Sequence, residues 1–250
     1  MQTKALTDYL TGYLRADEFK DYAPNGLQVE GRAEVKKIVL AVSASQSVID
    51  HAVSTGADCI LVHHGWFWRG EPSQIVGMKR RRLAALLGAD INLIAYHLPL
   101  DAHPDVGNNA ELARLLGLTT EKRTGMYDLL NIGVPADGPV PFDEFCTRVE
   151  KVLGRRPLVV GPTDGPVTRV GWCSGAAQDE LMAAAAEGCD LYISGEISER
   201  TTYEARENGI AYLSAGHHAT EQFGIQALGR HLKTVFPELE FTYFDGNNPV

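Results

Sequence analysis

Two stretches of this sequence can be written one above the other without a gap, Lys37–His64 over Arg169–Glu196, at a constant offset of 132 residues. Ile38–Val42 falls over Val170–Ser174, and both read as buried strands. Ser47 falls over Asp179, two residue types that cap helix N-termini by accepting from an exposed backbone N–H. Val48, Ile49, Ala52 and Val53 fall over Glu180, Leu181, Ala184 and Ala185, a shared helical apolar face interrupted only by Glu180. Gly56 falls over Gly188, where each helix is expected to end, because glycine takes the left-handed conformation without a Cβ penalty. Asp58 then matches Asp190, and the apolar strand Cys59–Val62 matches Leu191–Ser194.

The likeness resumes past a gap. Lys79–Leu87 reads as a helix stopped by Gly88, and Arg200–Asn208 as one stopped by Gly209. Strands follow at Ile91–Tyr96 and Ile210–Ser214, then a loop rich in possible ligands, then helices at Ala110–Leu116 and Phe223–Leu232. Each half is β-α-β-α-β-α, which predicts an α/β fold with mainly parallel sheets covered by helices. The halves are expected at residues 1–125 and 126–250, with the linker inside Thr119–Thr168 and a last strand, Phe241–Phe244, able to pack back on the first half. Lys4–Leu14 reads as an amphipathic helix and Pro24-Asn25-Gly26 as a turn, while Asp128–Val134 and Leu158–Val160 read as strands around a helix at Phe142–Leu153. In folds of this class ligands bind beyond the carboxyl ends of the strands, so the residues just past those ends are where chemistry is sought.

Composition narrows the function. A formal net charge of −9 with no long run of one sign argues against a general nucleic-acid binder, whose footprint is basic. No apolar run reaches the length of a membrane span, and Met1–Asp8 lacks a signal-peptide core. The four cysteines, Cys59, Cys146, Cys173 and Cys189, form no CxxC pair, so reduced buried thiols and a cytoplasmic location are expected. There is no GxxxxGK[ST] loop and no G-x-S-x-G elbow.

The eight histidines carry the signal. His51 and His231 lie on helices and read as structural or exposed. His63-His64 ends a strand directly before Gly65, and neighbouring strand side chains point to opposite faces, so both reach one site only where the strand frays into a loop. His97 ends another strand, four residues before Asp101, and Pro99 and Pro104 argue for a rigid loop there. His217 and Glu221 hold the equivalent place in the second half, and share one face if a helix has begun. Each pair alone has a bland reading, a packed histidine pair, a turn-capping aspartate or a helix-start glutamate. Together His63, His64, Asp101, His217 and Glu221 supply three nitrogen and two oxygen donors at the predicted ligand-bearing edge, a set that suits two divalent cations such as Zn, Fe, Mn or Ni. Glu196, which matches His64 in the repeat, reads as a base or a salt-bridge partner. His97 reads as a further ligand or an acid/base group, and His218 and His103 are weaker candidates of the same kind.

The segments Asn25-Gly26-Leu27-Gln28-Val29-Glu30-Gly31, Val62-His63-His64-Gly65, Tyr96-His97-Leu98-Pro99-Leu100-Asp101, Ser194-Gly195-Glu196 and Gly216-His217-His218-Ala219-Thr220-Glu221, with the closing Asn-Pro-Val, resemble the Nif-three-like family, also labelled type 2 GTP cyclohydrolase I-like. The motifs run in order through nearly the whole chain, which looks like a short bacterial member. The resemblance implies two similar, intertwined α/β halves with the metal site between them. It implies a dinuclear centre of His64, Asp101 and Glu221 on one side and His63, His217 and Glu221 on the other. It also implies ring-shaped homo-oligomers, often hexamers. The expected function is metal-dependent hydrolysis of a small-molecule substrate, a nucleotide or related purine, by opening of the guanine imidazole ring, with His97 or Glu196 carrying protons. The alternatives are phosphoester or pyrophosphate hydrolysis at the same ions, and a non-enzymatic oligomeric metal-binding scaffold. Lys79-Arg80-Arg81-Arg82 is the one dense basic cluster, readable as a solvated helix face or a phosphate contact. Trp66, Phe67 and Trp68 are readable as a stacking surface for a base or as oligomer contacts.

Overall fold

Strand and helix alternate as the repeat requires. The computed structural model describes residues 1–250. Helix α1 (Thr3–Tyr13) leads to β1 (Gly26–Val29), β2 (Lys37–Ser43), α2 (Gln46–Thr55), β3 (Cys59–His64), α3 (Gly77–Gly88), β4 (Asn92–Ala95), α4 (Leu98–Ala102) and α5 (Asn108–Leu116). Next come β5 (Leu118–Thr124), β6 (Leu130–Pro135), β7 (Val140–Pro141), α6 (Phe142–Leu153), β8 (Leu158–Val160), β9 (Pro166–Val167) and β10 (Val170–Trp172). The chain closes with α7 (Leu181–Ala186), β11 (Leu191–Ser194), α8 (Glu199–Asn208), β12 (Ala211–Ser214), α9 (His217–Val235) and β13 (Glu240–Tyr243).

Two compact units result, one of Met1–Val106 with Ile225–Asn248 and one of Gly107–Gly224 with Pro249–Val250. The halves expected at 1–125 and 126–250 divide the sequence, whereas these units divide space and are discontinuous, because the later turns of α9 and strand β13 belong with the first unit.

In the first unit the sheet order is β1-β4-β3-β2-β13, with β13, β2, β3 and β4 parallel and β1 an antiparallel edge. One face sets Ile38, Leu40, Leu61 and Ile94 against Leu6 and Leu10 of α1 and Ile225, Leu228 and Leu232 of α9. The other sets Val39, Ala41, Ile60 and Val62 against Val48, Ile49 and Ala52 of α2 and Leu83 and Leu86 of α3. A parallel sheet covered on both faces needs apolar residues at successive positions, which is why β2 and β3 read as continuous apolar runs.

In the second unit the order is β5-β6-β10-β11-β12-β8, a parallel trio flanked by antiparallel strands. Leu191 and Ile193 point to α5 and α6, where Leu112, Leu116, Phe145 and Val149 lie. Tyr192 points the other way, to Leu181 and Ala184 of α7 and Ala205 of α8.

The repeat extends to individual hydrogen bonds. Ala57 N donates to Ala52 O at 2.9 Å, and its counterpart Cys189 N to Ala184 O at 3.2 Å, the same helix-ending bond in each half. Asp58 Oδ2 accepts from Lys36 N and Lys37 N, both at 2.9 Å. Asp190 Oδ2 accepts from the matching Thr168 N at 2.8 Å and Arg169 N at 3.1 Å. The paired aspartates therefore cap the backbone at the start of β2 and β10.

Three local expectations need correction. Ser45, not Ser47, caps α2, its Oγ accepting from Val48 N at 3.4 Å, while Ser47 lies inside the helix with its hydroxyl bonded to that of Ser45. Asp179 sits within the short turn Gln178–Glu180 that precedes α7 and pairs with Arg200 instead of capping. Leu118–Thr124 forms edge strand β5, unforeseen because its polar sequence alternates only weakly; in the sheet it pairs with β6 alone.

Burial acts to raise the Asp58 carboxyl, but the donors Lys37 N, Lys36 N and Arg32 outweigh it and hold it below the usual carboxylate range. A depressed carboxyl stabilises the fold above its unfolded value of about 4 and loses that contribution as pH falls through the folded value. Asp58→Ala is expected to lose about 1–3 kcal/mol at neutral pH, by analogy with other buried hydrogen-bond deletions. In urea denaturation the gap between natural chain and variant should narrow at pH 3; an unchanged gap contradicts the assignment.

Candidate metal centre

Strand β3 runs through His64 without fraying, so Gly65 acts by packing. A Cβ on Gly65 would come 2.6 Å from Ala95 Cβ and would strike Gln28, whose Oε1 accepts from Trp66 N at 2.7 Å. At the end of the twisted strand the His63 and His64 rings stand 4.5 Å apart, tilted by 42°. His63 is fully buried and its Nδ1 bonds to the Tyr96 carbonyl at 3.1 Å. A carbonyl only accepts, so Nδ1 carries the proton and Nε2 keeps the lone pair a cation needs. That Nε2 lies 3.6 Å from Asp101 Oδ1. His64 is set by register, since it lies opposite Ser43, whose Oγ is 3.0 Å from its Nδ1.

The segment after β4 is a helix, not the loop expected from its prolines. His97 is the N-cap of α4, and Pro99 stands in the first turn, where a missing N–H removes no helical bond. Asp101 thereby comes into the first turn, buried, with His97 preceding the helix. Asp21, far away in sequence and not foreseen, clamps this turn. Its Oδ1 is 2.7 Å from His97 Nδ1, and its Oδ2 accepts from Leu98 N and from Asn25 Nδ2, both at 3.0 Å. Asn25 Oδ1 in turn accepts from His97 N at 2.8 Å. Burial tends to raise the Asp21 carboxyl, and the bond and charge of His97 prevail and lower it. Donor nitrogens of His63, His64 and His97 all lie within 4.8 Å of one another.

The aromatic loop divides. Trp66 is a core residue of the first unit, its Nε1 donating to Ala44 O at 2.9 Å. Trp68 alone stands beside the imidazoles, its ring edge-on to His97 at 4.9 Å. In the basic cluster Lys79 turns to Glu71 at 3.5 Å, and Arg80 and Arg81 are exposed on α3. His103 is structural, because its Nδ1 accepts from Asp105 N and Val106 N and its ring packs on Tyr13. His231, bonded to Tyr9 and stacked on Tyr13, and His51, stacked on Phe244, are structural as expected.

In the second unit α9 begins at His217, so Glu221 stands one helical turn further on, on the same face. His217 Nε2 is 3.1 Å from Glu221 Oε2, and its Nδ1 is 2.6 Å from Oε1 of Glu196, which follows β11. His218 comes next, its N–H bonded to Val250 O at 2.8 Å. Gly175, in the loop after β10, makes the room. Its φ is +65°, and a Cβ there would lie 3.2 Å from His217 Nε2 and inside contact distance of Glu221 Oε1. Burial acts to lower the His217 imidazole, but Glu221 and Glu196 overcome it and push it up to about 9.

Imidazole and carboxylate groups anchored just beyond parallel strand ends are the donor chemistry of a borderline divalent cation, and each unit presents such a group. The fold and these groups define an α/β protein of a class with residues suited to holding metal ions. The chain belongs to the Duf34/NIF3 (NGG1p interacting factor 3) family, whose model matches residues 1–249. A Neisseria meningitidis protein named GTP cyclohydrolase 1 type 2 homolog is 52% identical over 232 residues, 93% of this chain and 92% of that one. A protein of the same name from Escherichia coli (strain K12) is 48% identical over 252 residues, covering all of both chains. A solved structure, described as protein ybgI of unknown function, is 47% identical and covers both chains fully at a TM-score of 0.95.

Two outcomes follow from this geometry. Gly175→Ala adds strain at a positive φ and crowds Glu221, so the folded variant should bind cations at least tenfold more weakly in calorimetric titration; native affinity would show the carboxylate is not part of the site. In the metal-free protein the raised His217 imidazole stabilises the fold fully below about pH 6.5 and loses that contribution as pH rises through about 9. A cation taken up at about pH 7.5 must displace that proton. Release of a proton into weak buffer, lost in His217→Gln, checks this.

Proposed function

We propose that this protein is a metal-dependent hydrolase that uses two divalent cations, of Zn, Fe, Mn or Ni, on a nucleotide or related purine. The observation that carries the reading is the anchoring of the imidazoles. His63 has Nδ1 on the Tyr96 carbonyl and His217 has Nδ1 on Glu196, so both direct Nε2 toward carboxylates, as metal-ligating histidines held by outer partners do. The names of the relatives support cyclohydrolase chemistry as the reaction.

In this proposal His64, Asp101 and Glu221 hold one ion and His63, His217 and Glu221 the other. When bound, two such ions lower the pKa of coordinated water and stabilise developing negative charge. Ser43 orients His64, and Asp21 with Asn25 fixes the turn that carries Asp101. Glu196, half exposed, holds or returns a proton at His217 Nδ1. Trp68 forms an apolar wall beside the imidazoles, suited to a flat base. The net reaction adds water across C8–N9 of guanine and, with a second water, releases C8 as formate.

Self-association, as a hexameric ring, and a cytoplasmic location belong to the same proposal. Ile75, Val76 and Met78 are exposed just before and at the start of α3, apolar surface of the kind that subunits cover. No helix is long and apolar enough to cross a membrane.

The test is elemental analysis of metal per chain, for the natural chain and Glu221→Ala, with GTP products followed in the same samples. About two cations per chain and formate release, both lost in the variant, are expected. Phosphate without formate moves the assignment to phosphoester or pyrophosphate hydrolysis. Metals without turnover favour a scaffold, and failure to bind metal after reconstitution removes the reading.

A further inference from the structure

The residue before the carboxylate is fully buried in both halves, Leu100 before Asp101 and Thr220 before Glu221, each 0% exposed. In the first half an apolar side chain fills that place, so packing alone does not call for a hydroxyl in the second. Thr220 Oγ1 is both acceptor and donor. It accepts from Gly175 N at 3.0 Å, and its proton has the carbonyls of Gly216 and His217 within reach at 2.8 and 2.9 Å. One hydroxyl thereby ties the start of α9 to the loop after β10. Asn109 holds that loop from another side, its Oδ1 accepting from Ser174 N at 2.9 Å. Asn109 is 2% exposed, in the first turn of α5, and its carbonyl accepts from Trp172 Nε1 at 3.0 Å. The neighbouring Asn108 grips α9 further along, its Oδ1 accepting from Gly224 N at 2.9 Å. The carbonyl of Gly175 accepts from Gly195 N at 2.8 Å and Glu196 N at 3.2 Å. Buried amides need partners, so these bonds leave the Ser174-Gly175 backbone one position to occupy.

In the repeat Gly175 matches Ser43, the residue whose hydroxyl reaches His64. Gly175 has no side chain for that part. Its backbone instead stands against the pair on α9, where a Cβ would lie 3.2 Å from His217 Nε2 and inside contact distance of Glu221 Oε1. We infer that Thr220 and Asn109 are positioning residues for the carboxylate–imidazole pair of the second half, fixing the Gly175 backbone against which His217 Nε2 and Glu221 are set to meet a cation. The inference rests on the proposed use of His217 and Glu221 as ligands and deepens it. Neither residue touches the ion. Thr220 acts through the Gly175 amide and the His217 carbonyl, and Asn109 acts through the Ser174 amide. Groups of this kind remove freedom from the ligands, and losing one weakens metal affinity by about 10–100-fold. Valine keeps the shape of threonine and would leave the buried Gly175 amide without its acceptor. Serine keeps the hydroxyl and lacks only the methyl group.

Cobalt(II) is the probe, titrated into the full chain and followed by calorimetry and by its visible spectrum, which reports the arrangement of donors around the ion. The natural chain is compared with Thr220→Val, Thr220→Ser, Asn109→Leu and Asn109→Asp, each checked by circular dichroism and urea denaturation. Thr220→Val and Asn109→Leu should weaken the ion held by His217 and Glu221 about tenfold or more and alter its spectrum. Thr220→Ser keeps the hydroxyl, and Asn109→Asp keeps the acceptor in a helix's first turn, where a carboxylate is favoured. Both should bind cobalt with close to natural affinity and spectrum. A lower urea midpoint in Thr220→Val with cobalt affinity and spectrum unchanged would assign the residue to the fold alone and overturn the inference. So would a Thr220→Ser chain that binds as weakly as Thr220→Val, because the hydroxyl would then not be what counts. If Thr220→Val does not fold, the two Asn109 variants carry the same test. Each contrary result leaves the metal-dependent reading intact, since the natural chain still holds its ions. A natural chain that takes up no cobalt, zinc or manganese would overturn both.

Discussion

An imidazole serves a cation only through a nitrogen that carries no proton, so what holds Nδ1 decides what Nε2 can do. In this chain the decision is made by groups that belong to the fold. The Tyr96 carbonyl that bonds His63 lies at the end of β4, beside β3 in the parallel sheet, and Ser43 reaches His64 because the two residues are register partners. A one-residue slip between β2 and β3 would exchange the two imidazoles' faces and strip both of their anchors. The apolar faces that fix the register, Ile38 and Leu40 on one side and Val39 and Ala41 on the other, are therefore also what prepare the donors.

The duplication explains both what the halves share and where they differ. Asp58 and Asp190 cap equivalent strand starts, and Ala57 and Cys189 close equivalent helices, so the scaffold is the same in each. The ends of the strands diverge. Where the first half carries His63 and His64, the second carries Gly195 and Glu196. Gly195 allows close approach of the α9 start, since a Cβ there would come 2.6 Å from His217 Cα, and Glu196 bonds His217. One half thus presents mostly nitrogen donors and the other a carboxylate–imidazole pair.

Much of this was legible before the structure. The apolar runs, the glycine stops and the matched aspartates encode local hydrogen bonds, and such signals survive in a single sequence. The candidate ligands His63, His64, Asp101, His217 and Glu221 stood out in the sequence because they lie at or soon after strand ends, where this class of fold gathers its chemistry. Of the groups that anchor the imidazoles, Glu196 was picked out as a base or salt-bridge partner, whereas Asp21 was not. Asp21 lies 76 residues from His97 in the chain, and nothing local distinguishes it from any loop aspartate until the fold brings the two together. Pro99 misled for the opposite reason, since a proline forbids a helix interior and is accepted in the first turn, and only the position of the N-cap decides which applies. Edge strand β5 was missed because its pairing with β6 and its ion pairs to Arg169 and Glu187 are long-range, and its own pattern does not signal them.

The central claim is that Nε2 atoms anchored through Nδ1 hold two divalent cations. Anomalous diffraction at the metal edge, from crystals of the full chain grown with zinc or manganese, tests it most directly. The account predicts two anomalous peaks per chain, bonded to Nε2 of His63, His64 and His217 and to the carboxylates of Asp101 and Glu221, with the Tyr96 and Glu196 contacts to Nδ1 kept. Peaks bonded through Nδ1, or ions bound away from these residues, would contradict it.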